Sequence, residues 1–432
     1  MHVLLIHQAF TAGSEAGGTR HYELARHLKE KGHQITVITS MVSYLTGAVI
    51  ASAGRFWVVR ENLDGIEVRR TWTYAALHRS FVTRVLSFLS FMISSLAVAL
   101  LIRKVDVVWG TSPPIFQAVT AFVISRLKRV PLALEVRDLW PDFAVEIGVL
   151  RSQPLIWASR YLERFLYRHA DRIIVNSPGF ISHLIYCGAN REKIDIVANG
   201  VDAGMFNPYD QGEVIRGELG LEGKFVALYA GAHGLANDLG IMLRAAQYLI
   251  PYADIVFVLV GDGKERSNLI RQAEELRLTN VLFVPAQPKN RMPQFMAAAD
   301  VCIAILKPIP MFTTTYPNKV FDYMAAGRPT VLAIDGVIRE VVEAASAGIF
   351  VAPGDAWALA EAIRKYFTDP EVRKLHGKRA RTYVLAHFDR LQQAACLQEI
   401  FGVMVHAAAS SEAACIAATR RNAGPTDRAR GR

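Results

Sequence analysis

The stretch KPIPMFTTTYPNKVFDYMAAGRPTVLAIDG at residues 307–336 gives the clearest sequence evidence for the fold. A β-branched run at 301–306 directly precedes it, and a second apolar run at 330–333 lies inside it, so the stretch joins two predicted strands. Pro317 stands where a helix would begin, because its fixed φ suits the first helical turn, and residues 318–326 form the predicted helix. A strand, a helix and another strand make the repeating unit of a parallel sheet.

The same alternation of short apolar runs and helical segments extends along the chain in two series. Between the series lies VANGVDAGMFNPYDQGE at 197–213, whose Gly, Asn, Asp and Pro content is typical of a connection. We therefore predict an α/β protein with two parallel-sheet, Rossmann-like domains. The predicted strands are 2–6, 34–39, 106–109, 132–136 and 172–175 in the first domain, and 225–229, 255–260, 281–284, 301–306 and 330–333 in the second.

Composition narrows the class of protein. The 432 residues are 52% hydrophobic and 20% charged, which suits two buried cores and excludes global disorder. Four cysteines lie far apart without a C-x-x-C pair, so neither a disulfide framework nor a zinc site is indicated, and a reducing, cytoplasmic compartment fits. The opening MHVLLIHQAF lacks a basic n-region and is predicted to contain a strand rather than a signal peptide.

The net charge of +10 indicates an anionic partner. The sequence shows no basic helix interleaved with aromatic residues and no zinc-finger or RNA-binding motif, so we predict no nucleic acid partner. Anionic lipid and phosphorylated substrates explain the charge equally well. Part of the charge lies in the Ala-, Ser-, Arg- and Gly-rich tail from residue 407 onward, which we expect to be disordered.

An apolar segment at 85–102 has 18 residues without a charge and is flanked by Arg84, Arg103 and Lys104. Its length approaches that of a transmembrane helix. Weakly polar side chains nevertheless recur every three or four residues, as on a helix lying in the membrane interface, which is the interpretation we favour over a buried domain helix and a true span. These weakly polar residues are Ser80, Thr83, Ser87, Ser90 and Ser94.

Three glycine-rich turns each follow a predicted strand and precede a helical segment, which is the arrangement that holds a phosphate at a helix N-terminus. Main-chain N–H groups approach an anion closely where no side chain intervenes. A tight turn without a ligand is the alternative in each case. The candidate phosphate-binding residues are Gly17 and Gly18 in the first turn, Gly231, His233, Gly234 and Asn237 in the second, and Gly261, Asp262 and Gly263 in the third.

A charged stretch, LALEVRDLWPDFAVE at 132–146, includes a strand and continues past the sheet edge where open α/β sheets bind ligands. Glu135, Arg137, Asp138 and Asp142 are expected to cluster there. Arg137 is suited to clamp a phosphate, and Asp138 is suited to orient a hydroxyl or accept a proton. The alternative is an internal Arg–Asp pair that caps the following turn.

Lys319 and Asp322 lie three residues apart in the predicted helix, so they share one face. A lysine beside a helix N-terminus suits a diphosphate, and a carboxylate one turn later suits the hydroxyls of a ribose. A surface Lys–Asp pair of little energetic value is the alternative. With Arg137 and Asp138, these two residues form the candidate catalytic set.

Taken together, the motifs resemble the retaining, GT-B-fold glycosyltransferases of group 1, the family-four class, over about residues 1–405. The resemblance rests on the glycine pair before the helix at 19–31, on NGVD at 199–202, on GDG at 261–263 and above all on PNKVFDYMAAGRPTV at 317–331. It is greatest for bacterial transferases that build O-antigen, capsule and exopolysaccharide repeats. Under this resemblance, Gly17 and Gly18 lie near the diphosphate and the transferred sugar, and Asp322 binds the ribose.

Three positions depart from the family pattern. Thr314 stands eight residues before Asp322, where the family has a glutamate that touches the donor sugar. His233 and Asn237 occupy a turn in which Arg and Lys are common, so that Lys319 takes over the phosphate charge. Arg137 follows a strand after which the family often has a histidine.

The resemblance also implies a domain layout. Residues 1–195 form an acceptor domain with a membrane-associating helix at about 80–104, and residues 196–390 form the nucleotide-sugar domain. Residues 391–406 form a helix that crosses back to the first domain, and 407–432 form the disordered basic tail.

The implied activity is transfer of a sugar, an N-acetylated hexose or a deoxyhexose, from a nucleotide diphosphate sugar to a hydroxyl of a lipid-linked or oligosaccharide acceptor. A UDP-sugar is the favoured donor, with no tightly bound cofactor and no metal. The expected place is the cytoplasm, peripheral on the inner face of the plasma membrane and in contact with its anionic surface. A nucleotide-sugar epimerase of the same fold and a non-catalytic sugar-nucleotide-binding protein are the alternatives.

Overall fold

Two α/β domains, each built around one sheet, form the protein in a computed structural model that describes residues 1–15, 17–43, 47–50, 57–75, 81–207, 209–210 and 212–422. In the first sheet, Leu4 and Ile6 pack into one hydrophobic core, whereas Val3 and Leu5 pack into another. Apolar cores on both faces explain why this strand is a continuous apolar run. The predicted fold class, two Rossmann-like parallel-sheet domains, is confirmed.

The first sheet is formed by strands from the first half of the chain. They are β1 (His2–Ile6), β2 (Gln34–Ser40), β3 (Val58–Leu63), β4 (Ile66–Thr71), β5 (Val107–Ser112), β6 (Leu132–Val136), β7 (Arg172–Val175) and β8 (Ile194–Ile196). Their order across the sheet is β3-β4-β2-β1-β5-β6-β7-β8. Neighbouring strands are parallel except in the β3–β4 hairpin.

The sequence does not predict that hairpin, because β3 and β4 mix charged and apolar residues and form no apolar run. The two residues between the strands, Asp64 and Gly65, both have positive φ, which is the geometry of a tight hairpin turn. An Asp-Gly pair is typical of such a turn, so a search for turn residues would have found it. The short β8 is missing from the prediction as well.

The second sheet is entirely parallel, with the order β11-β10-β9-β12-β13-β14. Its strands are β9 (Phe225–Ala230), β10 (Ile255–Val260), β11 (Val281–Val284), β12 (Val301–Ile305), β13 (Thr330–Ala333) and β14 (Gly348–Phe350). Only β14 is absent from the sequence prediction.

Helices connect the strands in both domains. Those of the first half are α1 (Arg20–Glu30), α2 (Phe81–Leu100), α3 (Ile115–Lys128), α4 (Asp142–Glu146), α5 (Gln153–His169) and α6 (Ile181–Tyr186). Those of the second half are α7 (Glu213–Leu219), α8 (Leu239–Tyr248), α9 (Arg266–Glu275), α10 (Met292–Ala298), α11 (Asn318–Ala325), α12 (Val337–Ala344), α13 (Ala356–Thr368), α14 (Pro370–His387) and α15 (Arg390–Asn422).

The last helix, α15, returns to the first sheet, where Leu397 and Phe401 pack in the same core as Val3 and Leu5. It extends well beyond the predicted helix at 391–406 and continues to Asn422, over residues for which the sequence predicts disorder. The alanines of this stretch have the highest intrinsic helix propensity, and the prediction gave too little weight to that property. Residues 423–432 of the predicted tail lie outside the described residues.

A buried ion pair fixes the start of α15. Arg390 Nε donates to Glu23 Oε2 of α1 at 2.8 Å, and Arg390 Nη2 donates to Gly200 O at 2.6 Å. Burial raises the pKa of Glu23, but the neighbouring Arg390 and Lys289 outweigh burial and lower that pKa to about 2. The carboxylate is therefore charged in the folded protein and depends on its arginine.

The weakly polar stripe of helix α2 faces the interior of the protein, whereas the sequence analysis expects this stripe to face water. Ser87 and Ser94 are buried, and Ser94 Oγ donates to Thr71 Oγ1 at 3.1 Å. The stripe therefore faces the protein rather than water, and the outward face is apolar. Its exposed side chains are Val82, Leu86, Ile93 and Leu100, followed by Leu101. Residues 76–80, including Ser80 of the stripe, lie outside the described residues.

Replacing Arg390 with methionine should destabilise the protein strongly, because Glu23 would remain as a buried carboxylate without its partner. Breaking a buried ion pair lowers the free energy of unfolding by about 3–5 kcal/mol, which urea denaturation would measure. The matched control, Arg339→Met, removes an exposed pair with Glu343 and should leave that free energy nearly unchanged. Equal effects of the two substitutions would contradict this account of α15.

Candidate active site

A cavity of about 320 Å³ lies between the two sheets, beyond the carboxyl ends of their strands. Arg137 and Asp138 follow β6, Asn176 follows β7, and Leu306 follows β12. Parallel α/β sheets bind ligands at this edge. The remaining residues of its wall are Gly18, Arg20, His21, Phe143, Phe180, Asn199, Phe312, Thr315, Tyr316, Pro317 and Asn318.

The N-termini of two helices, one from each domain, meet at this cavity. Helix α1 begins at Arg20 and helix α11 begins at Asn318, and both residues line the cavity. Each helix start carries unpaired N–H groups and the positive end of the helix dipole. The cavity therefore favours an anion from two sides.

Glu135 holds the start of α1 in place from beneath the cavity. This fully buried carboxylate accepts hydrogen bonds from Arg20 Nε at 2.8 Å and from Trp109 Nε1 at 2.9 Å, and it pairs with His21 Nε2 at 2.9 Å. Burial raises the pKa of Glu135, but His21 and Arg20 outweigh burial and hold that pKa well below its usual range. Glu135 thus positions Arg20 and His21, two cavity residues that the sequence analysis does not single out.

Arg137 and Asp138 line the cavity side by side, as the sequence predicts for residues after this strand. One guanidinium nitrogen of Arg137 donates to Pro113 O, so the side chain does not form an internal pair with Asp138. Asp138 remains exposed to solvent at the cavity wall, but the surrounding protein partly desolvates it and raises its pKa to about 6, although Arg137 acts against this shift. Asp138 is therefore mostly a carboxylate at neutral pH and can accept a hydrogen bond from a hydroxyl.

Four polar atoms of the cavity residues have no hydrogen-bond partner within the described part of the protein. They are Arg137 Nε, Asn176 Oδ1, Asn199 Oδ1 and Asn318 Oδ1. An unsatisfied buried polar group costs about 1–3 kcal/mol, so a ligand would gain if its hydroxyl groups donated to the three amide oxygens and its phosphate accepted from Arg137 Nε. This pattern fits a polar ligand and not an apolar one.

Lys319 lies next to the cavity and beside the glycine turn after β9. Its Nζ donates to Tyr229 Oη at 2.9 Å and to Asn237 Oδ1 at 3.2 Å, and it lies 3.0 Å from where a Cβ of Gly231 would be. No acidic side chain among the described residues forms an ion pair with it. Burial lowers the pKa of Lys319 to about 7. The amine is therefore only partly protonated at neutral pH, and an anion that binds beside it would favour full protonation.

Asp322 is buried one turn further along α11, and it pairs with Lys289 rather than with Lys319. Lys289 Nζ donates to Asp322 Oδ2 at 2.6 Å. A ribose at Asp322 would share this carboxylate with Lys289 or displace the lysine. The sequence analysis does not single out Lys289, because its loop is far from Asp322 along the chain.

The glycine turns after β9 and β10 pack against each other. A Cβ on Gly261 would lie 1.9 Å from Gly231 O, so only glycine fits there. His233 is fully buried beneath these turns and does not line the cavity. Burial and the nearby Arg266 lower the pKa of His233 to about 4, so it is neutral. The turn of Asp262 is held by His233 N, which donates to Asp262 O at 2.8 Å, and Asp262 is likewise outside the cavity wall.

The glycine turn after β1 lies at the cleft, whereas Asp142, a further candidate, does not. Gly18 lines the cavity, and Gly17 has a φ of 143°, where a Cβ would approach Thr11 Oγ1 to 3.1 Å. Asp142 is turned away from the cavity and pairs with Arg160 at 2.9 Å. The prediction that Asp142 belongs to the cluster is therefore wrong, because the chain enters α4 at this residue and its partly buried side chain turns toward Arg160 of α5.

Backbone contacts join the two domains around the cavity. Ser177 Oγ donates to Thr314 O at 2.5 Å, and Asn199 Nδ2 donates to Tyr316 O at 2.6 Å. On the opposite side, Lys289 N donates to Glu15 O at 3.2 Å. The Thr314 side chain donates to Met311 O and does not line the cavity, so the family's glutamate contact has no replacement at this position.

Comparison with known proteins gives the same architecture. HepE from Anabaena, solved in complex with UDP-glucose, superposes with a TM-score of 0.71 at 19% identity, over 93% of this chain and 100% of that one. Sucrose-phosphate synthase from Thermosynechococcus elongatus superposes with a TM-score of 0.75 at 19% identity, over 94% and 99% of the two chains. At these identities the likeness establishes the fold.

The curated relatives of this chain in sequence have the names of glycosyltransferases. The putative colanic acid biosynthesis glycosyl transferase WcaI of Escherichia coli is 23% identical over 379 residues, which cover 85% of this chain and 91% of WcaI. The sulfoquinovosyl transferase SQD2 of Arabidopsis thaliana is 26% identical over 286 residues, 64% of this chain and 53% of SQD2.

Two family models account for most of the chain. Residues 16–200 match the glycosyl transferase 4-like domain, and residues 212–383 match the glycosyl transferases group 1 model. The first model covers the domain that carries Arg137 and Asp138, and the second covers the domain that carries Lys319 and Asp322. With the fold and the cleft described above, these matches establish that the chain belongs to the group 1 glycosyltransferases of the GT-B fold.

Proposed function

We propose that this glycosyltransferase moves a sugar from a nucleotide diphosphate sugar, with UDP as the favoured nucleotide, to a hydroxyl of a lipid-linked or oligosaccharide acceptor with retention of configuration. The observation that carries the proposal is the meeting of two helix N-termini at one cavity, with Lys319 beside it and not neutralised by a carboxylate. HepE, which has this fold, is known in complexes with UDP and with UDP-glucose, which supports the choice of donor.

The diphosphate is the leaving group, and the protein must stabilise its growing negative charge. Lys319, the N–H groups of Gly17, Gly18 and Gly231, and the start of α11 supply positive charge for this purpose. Arg137 assists as a phosphate clamp from the first domain, and Asp322 holds the ribose. Because Asn237 already accepts from Lys319, it positions the ammonium group.

Transfer then proceeds through an oxocarbenium-like sugar. The bond from the anomeric carbon to the phosphate oxygen breaks, and the acceptor hydroxyl oxygen bonds to the same face of that carbon. The hydroxyl proton passes to the departing phosphate oxygen. Asp138 orients the acceptor hydroxyl, and closure of the cleft excludes water, which would otherwise take the place of the acceptor.

The unsatisfied amide oxygens of Asn176, Asn199 and Asn318 favour a sugar with several hydrogen-bond donors. An N-acetylated hexose or a deoxyhexose remains our prediction for the transferred sugar. An acceptor in cell-surface polysaccharide synthesis, such as an O-antigen or capsule precursor, agrees with the name of WcaI.

An epimerase of the same fold is a weaker proposal. Such an enzyme needs paired acid and base carboxylates, and Asp138 is the one carboxylate in the described wall of the cavity. Incubation with candidate nucleotide sugars separates the possibilities. Release of nucleotide diphosphate only with acceptor indicates a transferase, free epimerised sugar nucleotide indicates an epimerase, and neither product indicates a binding protein.

The outward face of α2 supports work at a membrane surface. Ile93 and Leu101 are 66% and 76% exposed, and the exposed Arg103 and Lys104 follow after the buried Ile102. An apolar stripe that faces outward and ends in basic residues is typical of a helix that rests in an anionic membrane interface. By length and hydropathy, Val82–Leu100 is also the one helix among the described residues that could cross a membrane, and 33% of it is buried. We propose peripheral binding to the cytoplasmic face, because strands of one sheet precede and follow α2.

The substitution Lys319→Gln should lower turnover by about 10²–10³-fold, because it removes a charge that stabilises the leaving diphosphate. The measurement is acceptor-dependent release of UDP from a UDP-sugar, with circular dichroism to show that the fold is kept. The matched control is Lys374→Gln, which changes an exposed lysine on α14 and should leave turnover unchanged. Equal turnover by the two variants would refute the role of Lys319.

The affinity for UDP should fall as the pH rises above 7. The free Lys319 amine has a pKa of about 7, and a bound diphosphate favours its charged form and raises that pKa. Its contribution is therefore present in full below pH 7 and then decreases by at most about tenfold per pH unit. Calorimetric titrations between pH 6.5 and 8.5 would measure the slope. Lys319→Gln should show no such slope, and a slope like that of the wild type in this variant would disprove the explanation.

The double substitution Ile93→Glu and Leu101→Glu should release the protein from vesicles that contain anionic lipid, because it places two charges in the apolar stripe. Vesicle flotation measures the bound fraction. The control Leu375→Glu changes an apolar side chain on α14 that is 45% exposed and should have no effect. If the double variant floats with the vesicles as the wild type does, α2 is not the membrane contact.

A further inference from the structure

A cluster of three side chains with metal-binding atoms lies on the first domain, apart from the cavity. Glu163 comes from α5, His183 from α6, and Cys187 follows directly after α6. Glu163 and Cys187 are buried, and His183 is partly buried. None of the three side chains lines the cavity, so the proposed transfer mechanism gives them no role.

Helical spacing brings the three groups together. His183 and Cys187 are four residues apart, so their side chains leave the same side of α6. Glu163 lies on the buried side of α5, which packs beside α6, and Tyr167 follows it one turn later. The Tyr167 hydroxyl donates to Glu163 Oε1 at 2.9 Å and fixes the carboxylate.

We propose that Glu163, His183 and Cys187 bind one Zn²⁺ ion. His183 Nε2 lies 3.2 Å from Glu163 Oε1 and 3.4 Å from Cys187 Sγ, and Cys187 Sγ lies 3.9 Å from Glu163 Oε2. Zinc bond lengths of about 2.3 Å to sulfur and about 2.0–2.1 Å to nitrogen and oxygen place tetrahedral ligand atoms about 3.3–3.6 Å apart. The cluster therefore needs only small side-chain movements to bind a tetrahedral ion, whose fourth position is left for water.

Neighbouring groups supply the outer contacts that such sites use. Asp142 Oδ2 lies 3.9 Å from His183 Nδ1, on the side of the ring opposite to the cluster. A carboxylate there favours the proton on Nδ1 and leaves Nε2 free for a metal, while Tyr167 holds Glu163. Asp142 is also held by Arg160. The arrangement of carboxylate, histidine and metal is common in zinc proteins.

Without a metal, the same atoms would hold a proton. Burial lowers the pKa of His183, but hydrogen bonds to Cys187 and Glu163 outweigh burial and raise that pKa to about 10. This proton competes with a divalent cation for His183, so Zn²⁺ must displace it. Binding of Zn²⁺ would release the imidazolium proton of His183 and the thiol proton of Cys187, and both ligands would then bind the ion.

The ion would link α5 to α6 and, through Asp142, to α4. Phe143 of α4 and Phe180, which directly precedes α6, both line the cavity and pack against each other with ring centroids 6.3 Å apart. A zinc ion at this place would therefore stabilise the wall of the first domain behind the acceptor side of the cleft, without contact to the reacting atoms.

The test is a titration of reduced, metal-free protein with Zn²⁺ against a chromophoric zinc indicator, and a parallel titration with Co²⁺. We expect one equivalent of Zn²⁺ per chain, and with Co²⁺ an intense visible spectrum with a thiolate-to-cobalt charge-transfer band. Cys187→Ser and His183→Gln should each lower the affinity by at least about tenfold and remove or shift the band. The matched control, Cys396→Ser, changes a thiol on α15 and should bind both ions as the wild type does.

Three results would overturn the proposal. They are no binding of Zn²⁺ in competition with the indicator, equal binding by Cys187→Ser and the wild type, and loss of binding in Cys396→Ser. If Cys187→Ser fails to fold, as circular dichroism would show, the spectrum of the wild type decides alone, because a cobalt complex without a thiolate band excludes Cys187 as a ligand.

Discussion

The buried carboxylate of Glu135 is the interaction on which the geometry of the cleft depends. It joins β6 to the start of α1 through Arg20 and His21, and to β5 through Trp109. Arg20 extends this link further, because its other nitrogens donate to Val197 O and Ala198 O in the connection between the domains. One carboxylate thus fixes the helix N-terminus at the cavity and, through Arg20, the chain that leads into the second domain. A buried charge is tolerated here because all of its partners are polar and close.

The second domain is attached to the first domain at both of its ends. The connection at 197–202 lies against Arg20 and Arg390, and α15 returns to pack beside β1. The cavity itself is bridged by hydrogen bonds to main-chain atoms, from Ser177 and Asn199 on one side and from Lys289 on the other. Such contacts can open and reform without leaving a buried charge, which suits the exchange of substrate and product under the proposed function. The buried ion pair of Arg390 and Glu23 lies at the start of α15, whereas the contacts at the cavity are hydrogen bonds.

The sequence predicts the sheets well because buried parallel strands are uniform apolar runs. It also predicts that Lys319, Arg137 and Asp138 lie near one cleft, because strand ends and helix starts fix their positions. It fails where contacts come from distant segments. His233 stands in the expected turn, but the packing of Gly231 against Gly261 buries it. Asp322 has Lys289 as its partner, and Glu163 meets His183 and Cys187, across loops that no local pattern connects. The direction of α2 is also a tertiary property, since serines suit both a wet surface and close helix packing.

The cations near the cavity fall into two groups with different tasks. Arg20 is neutralised by Glu135 and so serves mainly to hold structure, whereas Lys319 contacts only the neutral Tyr229 and Asn237, and Arg137 keeps one donor unpaired. A cation that is already paired gains little when a phosphate arrives, because it must give up its partner. An unpaired and partly buried cation gains the full interaction in a site with little water. Keeping such groups unpaired destabilises the empty protein, and the large cores of the two sheets offset that cost. The fold therefore keeps these donors free for the proposed diphosphate, and Lys319 completes its charge when the anion binds.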